Sequence, residues 1–183
     1  GDVTDYTYNS THGGAATITL PAAASGGIRP QQRIGYTGLT AYFKNSAGSI
    51  VSSGQTTYVP TQSAACQTTA SCANGADETK TVVGYGPQTA GTANNLLPVS
   101  ITNSAGNGSV SAVTALGYDM VGNRITVDGP LTGTADTTRY RYDGARRVVG
   151  VVAPDPDGAG SRVHKAEKLT YNDDGQVTLA EVG

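Results

Sequence analysis

Residues 139–143 read Arg-Tyr-Arg-Tyr-Asp, which sets Tyr140 and Tyr142 on one face of an extended backbone and Arg139, Arg141 and Asp143 on the other. Side chains alternate across a strand with a period of two, so this stretch predicts a strand with one apolar and one polar face. Tyr6 and Tyr8 repeat the arrangement near the start of the sequence. Aligning the chain on Tyr118, Tyr142 and Tyr171 gives GYDMVGNRITVDGP, RYDGARRVVGVVAP and TYNDDGQVTLAEVG, at spacings of 24 and then 29 residues. Self-similarity on that scale is the mark of a repeat architecture. DYTYNSTHGGAATITLP, aligned on Tyr8, is a looser first copy.

An Asx residue follows each aligned tyrosine: Asn9, Asp119, Asp143 and Asn172. Its side chain can accept a backbone N–H from two residues on, which stops the strand and starts a turn. Gly122 and Gly175 then supply a position that takes φ > 0 without a Cβ clash. Return strands are predicted over Arg124–Val127, Val148–Val152 and Gln176–Val182, with Pro130 and Pro154 ending two of them by removing a ladder donor. Arg146 occupies the glycine position of the middle copy, so either that turn differs or Arg146 is strained.

Residues 26–110 are less regular. Strand-like runs fall at 32–36, 40–44, 49–52, 55–59, 79–85 and 97–102, separated by turn signals such as SAGS, SSGQ and TAGTANN. The expected fold is therefore all-β, antiparallel hairpins in a curved or spiralling sheet with no substantial helix. The expected organisation is one module over 1–183, with a degenerate first unit at 1–25, irregular hairpins at 26–110 and three repeat units at 111–183.

Composition agrees with strands and turns. The 10 tyrosines far outnumber the lone Phe43, there is no Trp, and 25 Gly and 8 Pro leave little room for long helices. Disorder of a chain this poor in large aliphatics usually also requires high net charge, and the formal net charge is only −2. A pI near 5.6 offers no basic stripe for phosphates, so nucleic acid is not an expected partner. No apolar run approaches the roughly 18 residues of a membrane span, and no initiator Met or signal-peptide core begins the sequence, which reads as an excerpt or a processed product.

Cys66 and Cys72, with five residues between them, lack the paired spacing and extra ligands of a zinc site. A small disulfide loop is expected, with two free thiols as the alternative. The disulfide would place the chain in an oxidising compartment. His12 and His164 are the only histidines, and no Ser or Cys motif sets a nucleophile beside either, so no catalytic residue is assigned and both are read as exposed structural side chains. The carboxylates at Asp155, Asp157, Asp173 and Asp174 offer two or three oxygens per segment where calcium takes roughly six to eight, so polar turns are expected rather than a metal site. GYGP at 84–87 lacks the strand, phosphate loop and helix of a nucleotide site, and no cofactor is expected. Asn9-Ser10-Thr11 and Asn107-Gly108-Ser109 match glycosylation acceptors, and exposed tyrosines could stack on a glycan, although cross-strand packing is the simpler role for them.

On Tyr118-Asp119 with Gly122, Tyr142-Asp143, and Tyr171-Asn172 with Gly175, the chain resembles the YD-repeat, or RHS-repeat, proteins. The likeness covers residues 113–183 and thins upstream to Tyr8-Asn9 in DYTYNSTHGG. It implies bacterial extracellular or cell-surface β-structure whose successive hairpins build a spiralling sheet or shell. The self-cleaving aspartyl region and the toxin tip of that family have no match in these residues, and neither activity is carried over. The expected function is a non-catalytic structural module, its partners being adjoining repeats or other copies of itself. Two alternatives are a filament subunit joined by intermolecular strand addition and a carbohydrate-binding or adhesive module.

Overall fold

The computed structural model describes residues 3–66, 68–69, 71–158 and 160–183. Every regular element among them is a β-strand, and the chain divides into two compact units, Gly1–Ala112 and Val113–Gly183. No helix among the described residues is long and apolar enough to cross a membrane.

The first unit contains β1 (Asp5–Tyr8), β2 (Ala15–Thr19), β3 (Gln31–Lys44), β4 (Ile50–Cys66), β5 (Glu78–Gly84) and β6 (Ser100–Ala105). Each pairs antiparallel with the next. The four short runs expected between residues 32 and 59 are two long strands of 14 and 17 residues. The pairing runs through the residues that looked like breaks: Gly38 lies opposite Tyr58 in the ladder. A Cβ on Gly38 would come within 2.8 Å of the Thr56 methyl, so the glycine permits close approach and does not end the strand. Gly54, in SSGQ, sits at φ 69° in a bulge, where the register steps from Thr40↔Thr56 to Tyr42↔Ser52. The extra residues stay inside one strand as a kink.

The second unit contains most of β7 (Ser111–Tyr118), then β8 (Arg124–Asp128), β9 (Thr138–Tyr142), β10 (Val148–Val152), β11 (Ala166–Tyr171) and β12 (Val177–Val182), again each antiparallel to the next. The register shifts at Gly117/Tyr118 and Thr170/Tyr171, and in the first unit at Thr7/Tyr8, so three of the aligned tyrosines end an outgoing strand opposite a bulge. Tyr142 has the same arrangement, and in all four the extra residue lies on the facing return strand: Ala16, Ile125, Val149 and Thr178.

Burial is thin. Among the described residues the buried apolar side chains are Ala64 and Cys66, while the buried polar ones are Glu78, Asn94, Asn123 and Thr137. None of the large side chains among the described residues is fully enclosed. Apolar burial stabilises in proportion to the area removed from water, about 25 cal/mol per Å². Here that area comes from many half-covered Val, Ile and Tyr residues, so the contacts between neighbouring hairpins matter more than a central core.

Candidate functional site

The repeat tyrosines, the turns that follow them and the contacts linking one turn to the next form a seam along the second unit. In each unit the Asx residue builds its own turn. Asp119 Oδ1 accepts the amides of Val121 and Asn123, at 3.0 and 2.8 Å, and its backbone amide donates to the Asn123 carbonyl. Asp143 Oδ1 accepts the amides of Ala145 and Arg147, both at 2.9 Å. Asn172 Oδ1 accepts the Gln176 amide at 2.8 Å. In the first unit Asn9 Oδ1 accepts the Thr11 amide at 2.9 Å, in a loop one residue longer that closes from the Asn9 amide to the Gly14 carbonyl.

Gly122 and Gly175 take φ values of 85° and 80°. Arg146 adopts the same turn at φ 63°, so the middle copy keeps the geometry and carries the strain. A left-handed conformation costs a residue with a Cβ about 1–2 kcal/mol. Side-chain contacts offset it: Arg146 Nε donates to Asn123 Oδ1 of the preceding turn at 2.7 Å. Its neighbour Arg147 donates from Nε to Asp143 Oδ2 at 2.8 Å and from Nη1 to the Asn172 carbonyl of the following turn at 3.1 Å. Three consecutive turns are thus joined through two adjacent arginines.

The tyrosines add a second set of links. The Tyr142 hydroxyl donates to the Arg124 carbonyl at 3.0 Å, and the Tyr171 hydroxyl to the Val148 carbonyl at 2.7 Å. Arg124 and Val148 are the first residues of the preceding return strands, so each tyrosine reaches back one hairpin to the same point. The Arg147 guanidinium lies 4.7 Å from the centre of the Tyr171 ring, and that of Arg124 lies 5.5 Å from Tyr140, both within cation–π range. Tyr118 ends β7 directly before the Asp119 turn.

Charge follows this pattern. The Arg147 amide, then the Arg147 side chain, hold the Asp143 carboxyl below the usual aspartate range. Partial burial pushes Asp119 the other way, but the Asn123 amide and side chain, the Val121 amide and the Arg146 charge outweigh it and leave its pKa lowered.

A second centre lies in the first unit, and of its members only the Cys66–Cys72 disulfide was expected from the sequence. Cys66 and Cys72 form a disulfide, with their Cα atoms 5.6 Å apart. Beside it Glu78, only 2% exposed, accepts the Asn74 amide at 2.7 Å, pairs with Arg33 of β3 and lies 3.8 Å from the Lys80 ammonium. Burial would raise the Glu78 pKa, yet the Asn74 amide, Arg33 and Lys80 together lower it. The backbone of Gly106 lies against this carboxylate, where a Cβ would come within 2.1 Å of Oε2. Asp77 accepts the hydroxyls of Thr68 and Thr69, then their amides, which lowers its pKa from 3.8 to about 2. The two sulfurs and the Asp77 carboxylate lie within 4.8 Å of one another. Metal coordination by cysteine requires thiolates, and here the sulfurs are bonded to each other.

Four of the remaining candidate groups, Asp155, Asp157, His164 and His12, are tied into local structure. Asp155 accepts the Asp157 amide, and Asp157 that of Arg162. His164 is exposed, with Nδ1 2.8 Å from the Ala153 carbonyl. His12 is half-buried, contrary to its reading as an exposed side chain. Its ring lies 4.5 Å from Tyr36 and 4.7 Å from Tyr58, and its Nδ1 accepts the Gly14 amide. Tyrosines on the long strands β3 and β4 cover it, and the turn-like THGG gave no sign of them. At the expected SAGS turn, Asn45 begins a turn of the same kind, whose likeness to the repeat turns was hidden because Lys44 precedes it in place of a tyrosine: its Oδ1 accepts the Ser49 amide, and Gly48 takes φ 83°. An Asx with a glycine three residues on was the signal available.

No family model matches this chain, and no curated protein matches it. Among solved structures it is similar to a chain of the "Crystal Structure of TcdB2-TccC3-Cdc42", at 15% identity and a TM-score of 0.46 over 100% of this chain. The chain spans 9% of the length of that relative.

Proposed function

We propose that this chain is a non-catalytic structural module of the YD-repeat type, working outside the cytoplasm by lateral stacking of hairpins. The observation that carries the reading is the repeated contact of a repeat tyrosine with the first carbonyl of the preceding return strand, at Tyr142 and again at Tyr171. A group used twice in the same geometry to join neighbouring hairpins is a device for building an array, in which stability comes from adjacent units. The thin burial and the polar character of most buried side chains agree with this. The Cys66–Cys72 disulfide supports an extracellular or cell-surface setting, where such bonds persist. The carboxylates of Asp119, Asp143, Asp77 and Glu78 are likewise engaged in turns and contacts that hold hairpins together.

The test is stability. Tyr142→Phe and Tyr171→Phe remove only the hydroxyls, and each is expected to lower unfolding free energy by about 1 kcal/mol. Tyr6→Phe, on an exposed ring, is expected to change nothing measurable. Denaturant unfolding that gave all three variants the wild-type midpoint would reject lateral stacking as the basis of the fold.

A further inference from the structure

The two sulfurs of the disulfide in the first unit have unequal surroundings. In the ladders Arg33 of β3 faces Ala64 of β4, while Cys66, two residues on, shares that face and stands opposite Glu78 of β5. The Arg33 guanidinium reaches two groups at once: it pairs with the Glu78 carboxylate, and its Nη1 lies 3.7 Å from Cys66 Sγ. A rigid fork of several N–H donors lets one arginine serve both. Among the described residues no cation makes such a contact with Cys72 Sγ. Access differs as well. Cys66 is 7% exposed at the end of its strand, whereas Cys72 is half-buried in the loop that leads to β5.

Thiol–disulfide exchange begins when a thiolate attacks one sulfur and expels the other, and it runs faster the more stable the departing thiolate is. A guanidinium beside a sulfur stabilises its thiolate. Access and charge therefore select the same direction, attack at Cys72 and departure of Cys66. Two carboxylates nearby oppose a new negative charge. That of Glu78 is offset by Arg33 itself, by the Asn74 amide and by Lys80. That of Asp77, within 4.8 Å of both sulfurs, is occupied by the hydroxyls and amides of Thr68 and Thr69. The same bonds pin the loop between the cysteines, so the disulfide can open while loop and strands stay in place.

We infer that Cys72 is a site of reversible modification by thiols, with Cys66 as the built-in leaving group. The sulfur of an incoming thiolate bonds to Cys72 Sγ, the Cys66–Cys72 bond breaks, and its electron pair stays on Cys66 as a thiolate held by Arg33. The proton of the incoming thiol goes to solvent. One disulfide replaces another, so there is no net oxidation or reduction. The substrate class is a thiol slender enough to reach a half-buried sulfur. Because the loop remains pinned on Asp77, the Cys66 thiolate stays within reach of Cys72 and can close the ring again, releasing the thiol. The modification is independent of the tyrosine seam, which lies in the second unit.

Brief treatment of the folded chain with millimolar mercaptoethanol, a quench with iodoacetamide and mass spectrometry of the peptides read the direction of attack. The expected product carries mercaptoethanol on Cys72 and the acetamide group on Cys66. Arg33→Gln is expected to form it about three- to tenfold more slowly, through loss of the cation beside the departing sulfur. The same variant loses its pair with Glu78, and a loosened unit exposes the disulfide and reacts faster, so a slower rate does not come from instability. An adduct chiefly on Cys66, no adduct on the folded chain, or Arg33→Gln reacting as fast as wild type would overturn the inference. Should Arg33→Gln fail to fold, the position of the adduct on the wild-type chain alone decides.

Discussion

The two units answer the same shortage of buried apolar surface in different ways. In Val113–Gly183 short hairpins of similar build are joined turn to turn, by Arg146 and Arg147 on one level and by Tyr142 and Tyr171 on another. In Gly1–Ala112 two long strands run side by side, and their far end is fixed at one place, where Glu78 gathers Arg33, the Asn74 amide and Lys80 beside a disulfide. One design spreads its polar contacts among repeated links of modest strength. The other concentrates them at a single buried carboxylate. A distributed seam tolerates the loss of one member, whereas a concentrated latch does not.

The sharpest way to break that contrast is Glu78→Ala. Removing one partner of a buried ion pair leaves the other uncompensated, and here it also orphans the Asn74 amide. A loss of about 3 kcal/mol is expected, with hydrogen exchange resolved by residue showing lost protection in β5 and β6 while β9–β11 keep theirs. Equal loss of protection in both units would mean that they do not differ as described. Next in size is the disulfide. Replacing Cys66 and Cys72 by serine frees a short loop of sequence separation 6, and chain entropy puts the cost at about 2 kcal/mol. Thermal unfolding should register it, and a midpoint unmoved by the change would assign the whole latch to Glu78. The smallest effect sharpens the picture of the seam. Arg146→Gly relieves the left-handed strain but loses the bond to Asn123, so its stability should stay within about 1 kcal/mol of wild type, whereas Arg146→Ala loses the bond and keeps the strain. Chemical denaturation that ranked Ala above Gly would remove the strain argument.

How far the sequence speaks differs between the units for the same physical reason. In the second, the forces are local: an Asx side chain bonds an amide two residues on, a glycine or a strained arginine follows, and alternation sets the faces. Tyr118-Asp119, Tyr142-Asp143 and Tyr171-Asn172 are therefore readable as a row of hairpins, and even the conflict at Arg146 is visible before any coordinates are. In the first unit the decisive contacts are distant. Arg33 and Glu78 are separated by 45 residues, and no periodicity marks their meeting. Gly38 and Gly54 read as breaks because a glycine that permits close approach or a bulge looks the same in sequence as one that ends a strand. The Tyr142 and Tyr171 links to preceding carbonyls were hidden in another way: the residue type was conspicuous, but its backbone acceptor has no sequence signature.

The reach of Tyr171 to Val148, 23 residues back, has a bearing on how the second unit is made. From β8 onward each strand there lies beside the one just before it, so a nascent polypeptide emerging amino end first can zip each new ribbon onto a finished neighbour, without waiting for distant segments. All-β domains that must bring remote segments together fold slowly and stay exposed to misassociation meanwhile. Assembly in order of synthesis avoids that delay, and it leaves a single growing front at any moment.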